Sequence, residues 1–188
     1  MDSPSATVLD LVPIYTADQR ELIERLAVEL ERTFHMPVRP RNPWFDPEAA
    51  YDMSRGQYNS RALLKLLLDD PVEEAARVIG VAGVDLFTPV LTYVFGEAQL
   101  DGRVAVVSYH RLRPEAYGLA EDETLVFSRL RTEAVHELGH TFGLLHCRDA
   151  SCVMHASTYV EEIDLKTSGF CTDCLRLLAT QRPSPQTA

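Results

Sequence analysis

The sequence predicts a single domain of mixed α/β class. Its 188 residues, of which 46% are apolar, suffice to bury one core and favour one domain over two very small ones. Segments with helical spacing alternate with β-rich runs along the chain, an order that is consistent with a mixed fold. We assign residues 1–180 to this domain and residues 181–188, which end in RPSPQTA, to a flexible tail.

The N-terminal part is predicted to form a strand followed by a helix. Residues 6–15, ATVLDLVPIY, alternate in the manner of a β-strand. An amphipathic helix follows to His35, with Thr16 or Asp18 as its N-cap and with apolar residues three and four apart at Leu22, Ile23, Leu26, Leu30 and Phe34. Residues 36–57 contain four prolines and little periodicity, which predicts a long surface connection with some extended structure.

The middle of the chain changes from helical to β character. A helix is predicted over YNSRALLKLLLDD, residues 58–70, with Asn59 or Ser60 as its cap. Three β-rich runs follow at residues 77–87, 91–100 and 103–112. Asp101 and Gly102 separate the last two runs and predict a tight hairpin in which the glycine takes a positive φ. Helical spacing returns over residues 124–142, and a last helix is expected near CTDCLRLLAT, residues 171–180.

Charge and targeting signals exclude several classes of partner. The formal charge of −10, without a run of Lys and Arg, argues against a nucleic-acid partner. The N-terminus has Asp2 where a secretory signal would be positive, and no apolar run reaches the roughly 20 residues that span a bilayer. We expect a cytoplasmic, monomeric protein with neither a nucleic-acid nor a membrane partner.

The stretch HELGHTFGLLHC, residues 136–147, holds three of the six histidines. His136 and His140 lie four residues apart on a predicted helix, so their imidazoles point the same way to within about 40°. Glu137 follows the first of them, as in zinc sites where a carboxylate acts as general base on the zinc-bound water. Gly143 can end the helix with a positive φ, so that His146 turns back as a third ligand. Three protein ligands leave one position for water, and the extended pattern is the metzincin signature.

All four cysteines lie in the last 42 residues, at Cys147, Cys152, Cys171 and Cys174. This clustering, without a signal peptide, favours metal ligation over a disulfide framework. Four thiolates complete a closed tetrahedral zinc site, which would join the segment after the histidines to the last helix and hold His146 from behind. Two disulfides, or free buried thiols, are the alternatives for the cysteines. For the histidines, the alternatives are incidental placement and a zinc that only holds the fold.

The order of these residues resembles that of the archaemetzincin family, in which the metzincin signature runs directly into a four-cysteine site. The resemblance is carried by HELGHTFGLLHC, by Met154 two residues after Cys152, and by the C-x-x-C pair; a weaker similarity extends to RGQYNSRALL and DLFTPVLTYVFGEA. The segment between Met154 and Cys171 is about one residue shorter than the family pattern. The resemblance implies a twisted mixed sheet packed on helices, an active-site helix, and a small C-terminal helical part stapled by zinc.

The same resemblance implies a role for each of these residues. The three histidines bind a catalytic zinc, Glu137 is the general base, and Met154 packs beneath the imidazoles as the Met-turn residue. The four cysteines bind a second, structural zinc. In metzincins a peptide substrate pairs with an edge strand above the active-site helix, and the candidate here is the run at 91–100 with Tyr93, Val94, Phe95 and Gly96. Tyr159, five residues beyond Met154, is a candidate stabiliser of the oxyanion, although an isolated tyrosine is more often a packing residue.

The predicted function is hydrolysis of peptide bonds in a peptide or protein substrate, with two Zn²⁺ as cofactors. One alternative is a non-catalytic zinc module that binds a peptide or protein on the same fold. Another is a zinc-dependent hydrolase of non-peptide amides. Glu137 favours an enzyme, because a module that only binds has no need of a carboxylate at that position.

Overall fold

The fold is described from a computed structural model over residues 8–16, 19–70 and 75–181. The β-strands of these ranges are β1 (Leu9–Ile14), β2 (Val38–Pro40), β3 (Tyr51–Asp52), β4 (Gln57–Asn59), β5 (Arg77–Ala82), β6 (Leu86–Thr88), β7 (Leu91–Val94), β8 (Gly96–Ala98) and β9 (Val104–Ser108). The α-helices are α1 (Arg20–Phe34), α2 (Ser60–Leu68), α3 (Glu123–Thr141), α4 (Val160–Leu165) and α5 (Thr172–Gln181). None of the described helices is both long and apolar enough to cross a membrane.

The larger sheet has five strands in the order β2-β1-β5-β9-β8. Its first four strands run parallel, and β8 pairs with β9 in the antiparallel direction at one edge. Every residue of β9 is buried, as expected for a strand that is covered on both faces of its sheet.

Helices cover the two faces of this sheet. Because side chains alternate along a strand, Leu11, Ile79 and Val107 pack with α1 and α3 in one core cluster. The residues next to them, Val12, Val78 and Val106, pack with α2 in the other cluster. The predicted class is confirmed: a mixed sheet is packed between helices, and α3 lies against the same sheet that carries β8 at its edge.

A second, smaller sheet has the strand order β3-β4-β6-β7. It shows that two of the predicted β-runs are each divided between the two sheets. The run at 77–87 is divided between β5 in the larger sheet and β6 in the smaller one. The run at 91–100 is likewise divided, with β7 in the smaller sheet and β8 in the larger one. Phe95, which is buried between these two strands, marks the point where the chain passes from one sheet to the other. The predicted surface connection at 36–57 contains β2, β3 and a short 3-10 helix, Pro47–Ala50.

Helix ends test the predicted caps. The Asn59 side chain accepts the backbone N–H groups of Arg61 and Ala62 at 3.0 and 3.2 Å, so this cap is confirmed. The cap predicted for α1 is wrong at Thr16: the helix begins after Gln19, which makes no side-chain capping bond, and Asp18 lies outside the described residues. Helix α5 includes Gln181, one residue into the predicted tail, and residues 182–188 lie outside the described ranges. Residues 6 and 7 of the predicted first strand also lie outside them.

The hairpin between β8 and β9 is present where it was predicted, but its backbone differs. Asp101 carries the positive φ, at 50°, rather than Gly102. A Cβ atom on Gly102 would lie 2.3 Å from Cγ of Gln99, whose side chain is exposed. The turn is closed by the backbone, since Gly102 donates its N–H to Gln99 O at 3.1 Å.

Candidate metal centre and active-site cleft

Helix α3 carries the first two histidines and the glutamate. The helix begins at Asp122, whose side chain accepts the backbone N–H of Leu125 at 2.9 Å. Its C-terminal half is buried almost throughout, since it packs on the larger sheet. His136 and Glu137 are buried within it, and His140 is half-buried one turn later.

The chain turns sharply after α3 and returns toward the same point. Gly143 has a φ of 78°, and its N–H donates to His140 O at 2.9 Å. The next residue, Leu144, donates its N–H to Gly139 O at 3.2 Å. This turn places the His146 ring 5.0 Å from that of His140, measured between centroids. The ligand nitrogens of the three histidines all lie within 4.8 Å of one another.

Backbone carbonyls hold the first two imidazoles in one tautomer. His136 Nδ1 lies 2.7 Å from Val153 O, and His140 Nδ1 lies 2.7 Å from Leu144 O. A carbonyl oxygen only accepts, so each Nδ1 carries the proton and each Nε2 presents its lone pair. The two Nε2 atoms are 3.1 Å apart, near the roughly 3.3 Å that separates two nitrogen ligands of a tetrahedral zinc. Two lone pairs facing at this distance repel one another unless a cation lies between them, so the donor set fits zinc.

Burial keeps these imidazoles neutral. Desolvation lowers the pKa of His136 to about 3 and also lowers the pKa values of His140 and His146. At neutral pH all three rings are therefore uncharged, the form that binds a metal ion.

Glu137 lies beside the histidines and against strand β8. A Cβ atom on Gly96 would lie 2.6 Å from Glu137 Cγ and 2.8 Å from its Oε1, so only glycine permits this approach. Burial raises the pKa of Glu137 well above its ordinary value, and the charges of Glu133 and Glu97 raise it further. A carboxylate in this environment has a raised affinity for a proton, as a general base requires.

Met154 lies under α3 because the helix has a glycine at the point of contact. A Cβ atom on Gly139 would lie 2.5 Å from Met154 Sδ. The turn that carries Met154 is also bonded to the histidine segment, since Cys147 donates its N–H to Met154 O at 2.9 Å. Gly139 was not singled out from the sequence, because its role depends on a residue 15 positions later in the chain.

A buried ion pair next to the centre was also missed by sequence reasoning. Lys166 Nζ donates to Glu133 Oε1 at 3.1 Å and to His155 O at 3.0 Å. Glu133 lies one helical turn before Glu137, so this lysine joins α3 to the residue that follows Met154. Burial raises the pKa of Glu133, and the ammonium of Lys166 opposes that change. His155 in turn places Nδ1 3.0 Å from Cys147 O.

The four cysteine sulfurs form a second cluster, behind His146. They lie within 4.8 Å of one another, and none of them is in a disulfide. Cys147 Sγ and Cys171 Sγ are 3.8 Å apart, the separation of roughly 3.8 Å expected for two sulfurs on a tetrahedral zinc. The N–H groups of Asp149 and Cys171 donate to Cys147 Sγ and Cys152 Sγ at 3.4 and 3.3 Å. The N–H of Cys174 lowers the pKa of Cys171, which favours a thiolate, whereas burial raises the pKa values of Cys152 and Cys174.

A cleft of about 640 Å³ lies in front of the histidines and Glu137. Two segments contribute most of the remaining lining: residues 91–98 with Leu100, and Leu145 with residues 156–159. The Tyr93 hydroxyl joins these segments by donating to Thr158 O at 3.4 Å. Tyr159 lines the same cleft, and its side chain is exposed there.

The predicted edge segment at residues 93–96 belongs to two strands. Tyr93 and Val94 end β7, whereas Gly96 begins β8, and each strand is the edge of its own sheet. Ser108 donates its N–H to Phe95 O at 2.7 Å, and Gln99 donates its N–H to Val104 O at 2.9 Å. In an antiparallel ladder the residues between these bonded positions turn their peptide groups to the other side. The peptide groups of Gly96 and Ala98 therefore face the open edge of the larger sheet.

Comparison with protein families gives a match over most of the chain. The model described as peptidase family M54 matches residues 40–180. The archaemetzincin of Methanocaldococcus jannaschii is 45% identical over 132 residues, which cover 70% of this chain and 72% of that protein. The archaemetzincin of Haloquadratum walsbyi is 35% identical over 175 residues, which cover 91% and 99% of the two chains.

Solved structures agree with this relationship. The crystal structure of the archaemetzincin of Methanopyrus kandleri matches with a TM-score of 0.81 and 37% identity, covering 96% of this chain and 97% of that one. That of Archaeoglobus fulgidus, which is complexed with malonate, matches with a TM-score of 0.74 and 32% identity over 90% and 99% of the two chains. The family match and both sets of relatives lead to one conclusion: this chain belongs to peptidase family M54, the archaemetzincin family of zinc metallopeptidases.

Proposed function

We propose that this chain hydrolyses peptide bonds in the cleft, with a catalytic zinc held by His136, His140 and His146 and with Glu137 as general base. The observation that carries the proposal is the convergence of three imidazole ligand atoms within 4.8 Å, beside a buried glutamate that opens onto the same cleft. Three neutral nitrogen ligands leave one position of a tetrahedral zinc for water or substrate.

Zinc in such a site supplies a Lewis acid, which lowers the pKa of water toward about 7 and polarises a carbonyl group. Glu137 takes the proton from the attacking water and passes it to the leaving amine. Its raised pKa favours the first transfer, and its place against Gly96 brings it close to any peptide that pairs with β8. The carbonyl groups of Val153 and Leu144 keep the imidazoles of the first two histidines oriented while this happens.

Four further roles are part of the proposal. Gly143 lets the chain turn so that His146 reaches the site, a role that agrees with its φ of 78°. Met154 packs beneath the imidazoles, a role that agrees with its contact with Gly139 on the same helix. Tyr159 stabilises the oxyanion from the rim of the cleft, where its exposed side chain lies. The substrate pairs with the edge at Tyr93, Val94, Phe95 and Gly96, and we extend that edge to Ala98 because the peptide groups of Gly96 and Ala98 face outward.

A second, structural zinc at Cys147, Cys152, Cys171 and Cys174 completes the proposal, giving two zinc ions per chain. The sulfur geometry and the N–H groups donated to two of the sulfurs support it. The proposal also includes a monomeric protein that acts in the cytosol, two expectations that rest on the sequence.

Peptide-library cleavage tests the proposed reaction. Protein stripped with a chelator should cleave nothing, and zinc should restore cleavage. A His146→Ala variant should keep the sulfur-bound zinc but lose cleavage, because the exposed third ligand belongs to the catalytic centre alone. A protein that binds library peptides but cleaves none of them, with its zinc in place, would instead be a non-catalytic binding module.

A further inference from the structure

Three tyrosines form a cluster on the surface at one end of the larger sheet. Tyr15 directly follows β1, and Tyr51 and Tyr58 are partners across β3 and β4 of the smaller sheet. The Tyr58 ring contacts both of the others, with centroids 5.7 Å from that of Tyr15 and 5.0 Å from that of Tyr51. Tyr15 and Tyr51 are 45% and 41% exposed, so this tyrosine cluster is open to a ligand from solution.

A single carboxylate joins the tyrosine cluster. Tyr15 and Tyr58 both donate their hydroxyl groups to Glu48 Oε1, each at 2.6 Å. These bonds lower the pKa of Glu48, so its carboxylate is charged at neutral pH. The bond to Glu48 in turn raises the pKa of Tyr15 to about 12, so that the hydroxyl keeps its proton. The other carboxylate oxygen, Oε2, accepts no hydrogen bond from any residue in the described ranges.

The charge of Glu48 has no cation as its partner. Within the part of the chain that the structure describes, no Lys, Arg or His forms an ion pair with Glu48, and none lies over a ring of the tyrosine cluster. Arginines of the neighbouring segments are engaged elsewhere: Arg41 bonds Asp70 at 2.7 Å, and Arg55 lies 4.3 Å above the centre of the Phe87 ring. Aromatic faces beside an unpaired carboxylate are complementary to a cationic ligand.

The backbone is strained at the residue that completes this arrangement. Tyr15 has a φ of 52°, in the left-handed region that a bulky side chain rarely adopts. A close approach of the chain permits it, because a Cβ atom on Gly83 would lie 2.3 Å from Tyr15 O. Gly83 also donates its N–H to Ile14 O at 3.0 Å. Backbone strain that the surrounding structure maintains is concentrated at ligand sites, and here it directs an exposed ring toward Glu48.

The position in the sheet also favours a binding site. From β1 the chain passes through α1 to β2 on one side, whereas β5 leads through β6, β7 and β8 to β9 on the other side. Tyr15 and Gly83 directly follow the carboxyl ends of β1 and β5, which are neighbours in the sheet. In open α/β sheets, ligands bind outside the carboxyl ends of strands whose connections diverge in this way.

We propose that the tyrosine cluster and Glu48 bind an arginine side chain of a partner polypeptide, at a site separate from the cleft. The planar guanidinium group can donate to the open Oε2 of Glu48 and stack on an aromatic ring. An ammonium group has neither the plane nor the fork of N–H groups, so a lysine fits less well. Because the rings are exposed, the arginine can be presented by an intact chain. None of these residues lines the cleft, so the inference does not depend on the proposed reaction.

Titration followed by NMR tests the site. The probe is acetyl-Gly-Arg-Gly-amide, added to ¹⁵N-labelled, zinc-loaded Glu137→Ala protein so that the proposed reaction cannot consume it. Amide signals of the tyrosine cluster and Glu48 should shift. The citrulline peptide, a neutral isostere, should bind roughly tenfold more weakly, and the lysine peptide and free methylguanidinium should also bind more weakly than the arginine peptide.

Several outcomes would overturn the inference. These are an equal affinity for the citrulline peptide, shifts confined to the cleft, or no shift at the tyrosine cluster with the peptide at about 10 mM. Methylguanidinium that binds as tightly as the peptide would exclude a polypeptide partner. Higher ionic strength should weaken binding of the arginine peptide more than that of the citrulline peptide, because only the former is charged.

Variants separate the charge from the rings. Glu48→Gln keeps an acceptor for the tyrosine hydroxyls but removes the charge, and should weaken arginine-peptide binding roughly three- to fivefold. Tyr51→Ala removes a ring that does not bond Glu48 and should weaken it by a similar factor, about threefold. Glu24→Gln is the matched control, because it neutralises an exposed glutamate bonded to Arg20 at 2.7 Å, and binding should not change. Unchanged binding in Glu48→Gln, or the same loss in the control, would contradict the inference.

Discussion

Replacement of Lys166 by Met should destabilise the fold strongly, because it leaves Glu133 as a buried carboxylate without its cation. The two side chains are 0% and 5% exposed, and their charged atoms lie 3.1 Å apart. Removing one partner of a buried pair costs roughly 3–5 kcal/mol, since the remaining charge stays desolvated. The free energy of unfolding of a domain is about 5–15 kcal/mol in total, so the variant loses a large share of it.

Thermal and urea unfolding measure this loss. A change of 1 kcal/mol shifts the Tm of a domain of this size by about 2–4 °C, so Tm should fall by roughly 6–20 °C. The double variant Glu133→Leu and Lys166→Met should regain most of the loss, because an apolar pair of similar volume needs no counter-charge. Arg176→Met is the matched control, because it removes an exposed ion pair: the side chains of Arg176 and Asp173 are 76% and 84% exposed. An exposed pair contributes little to stability, so the Tm should not change measurably.

The pH dependence of the single variant gives an independent check. Burial already raises the pKa of Glu133, and loss of Lys166 raises it further. In the folded variant Glu133 stays protonated, whereas in the unfolded chain it loses its proton above about pH 4.3. The stability of the variant is therefore highest below that pH and decreases as the pH rises. The difference in Tm from the wild type should therefore be larger at about pH 8 than at about pH 5. A loss below about 1 kcal/mol, a double variant less stable than the single one, or the opposite pH trend would refute the reasoning.

Three further changes test the supports of the two proposed metal centres. Gly139→Ala places a methyl group 2.5 Å from Met154 Sδ, so we expect a loss of roughly 1–3 kcal/mol in urea unfolding and weaker zinc binding at the histidines. Gly143→Ala forces alanine to take a φ of 78°, which costs about 1 kcal/mol of stability and should weaken zinc binding at the histidines. Gly118→Ala is the control: its φ is 74°, but it lies away from the site and should lower stability alone. Equal zinc affinity in the two variants would contradict the role of Gly143 in placing His146. Cys174→Ser should lower the zinc content by one ion per chain and also lower the Tm. Thiol titration of the wild type should detect cysteine thiols that react only after a chelator is added. A titration that the chelator does not change would exclude the sulfur site.

The histidine positions are predictable because their spacing is local. His136 and His140 follow from helix periodicity, and the return of His146 follows from the positive φ available to Gly143. The alternation of side chains between the two faces of β5 and β9 is also local, because it follows from consecutive residues. Val78 and Ile79, for example, pack into opposite core clusters.

Contacts between distant segments are not predictable in this way. The pair formed by Glu133 and Lys166 spans 33 residues, and no local pattern links the two positions. The run at 91–100 has uniform β character, so nothing in it predicts that Phe95 separates two sheets. Gly96 illustrates the same limit, because its need for glycine comes from Glu137, 41 positions later.

Elemental analysis combined with cleavage tests the central claim most directly, when both are measured for the wild type and for Glu137→Ala. The account predicts two zinc ions per chain in both proteins and peptide cleavage by the wild type alone, because Glu137 in the proposed reaction moves a proton and binds no metal. Cleavage by Glu137→Ala at the wild-type rate would contradict its role as general base. One zinc ion or none in the wild type would contradict the assignment of the two metal centres.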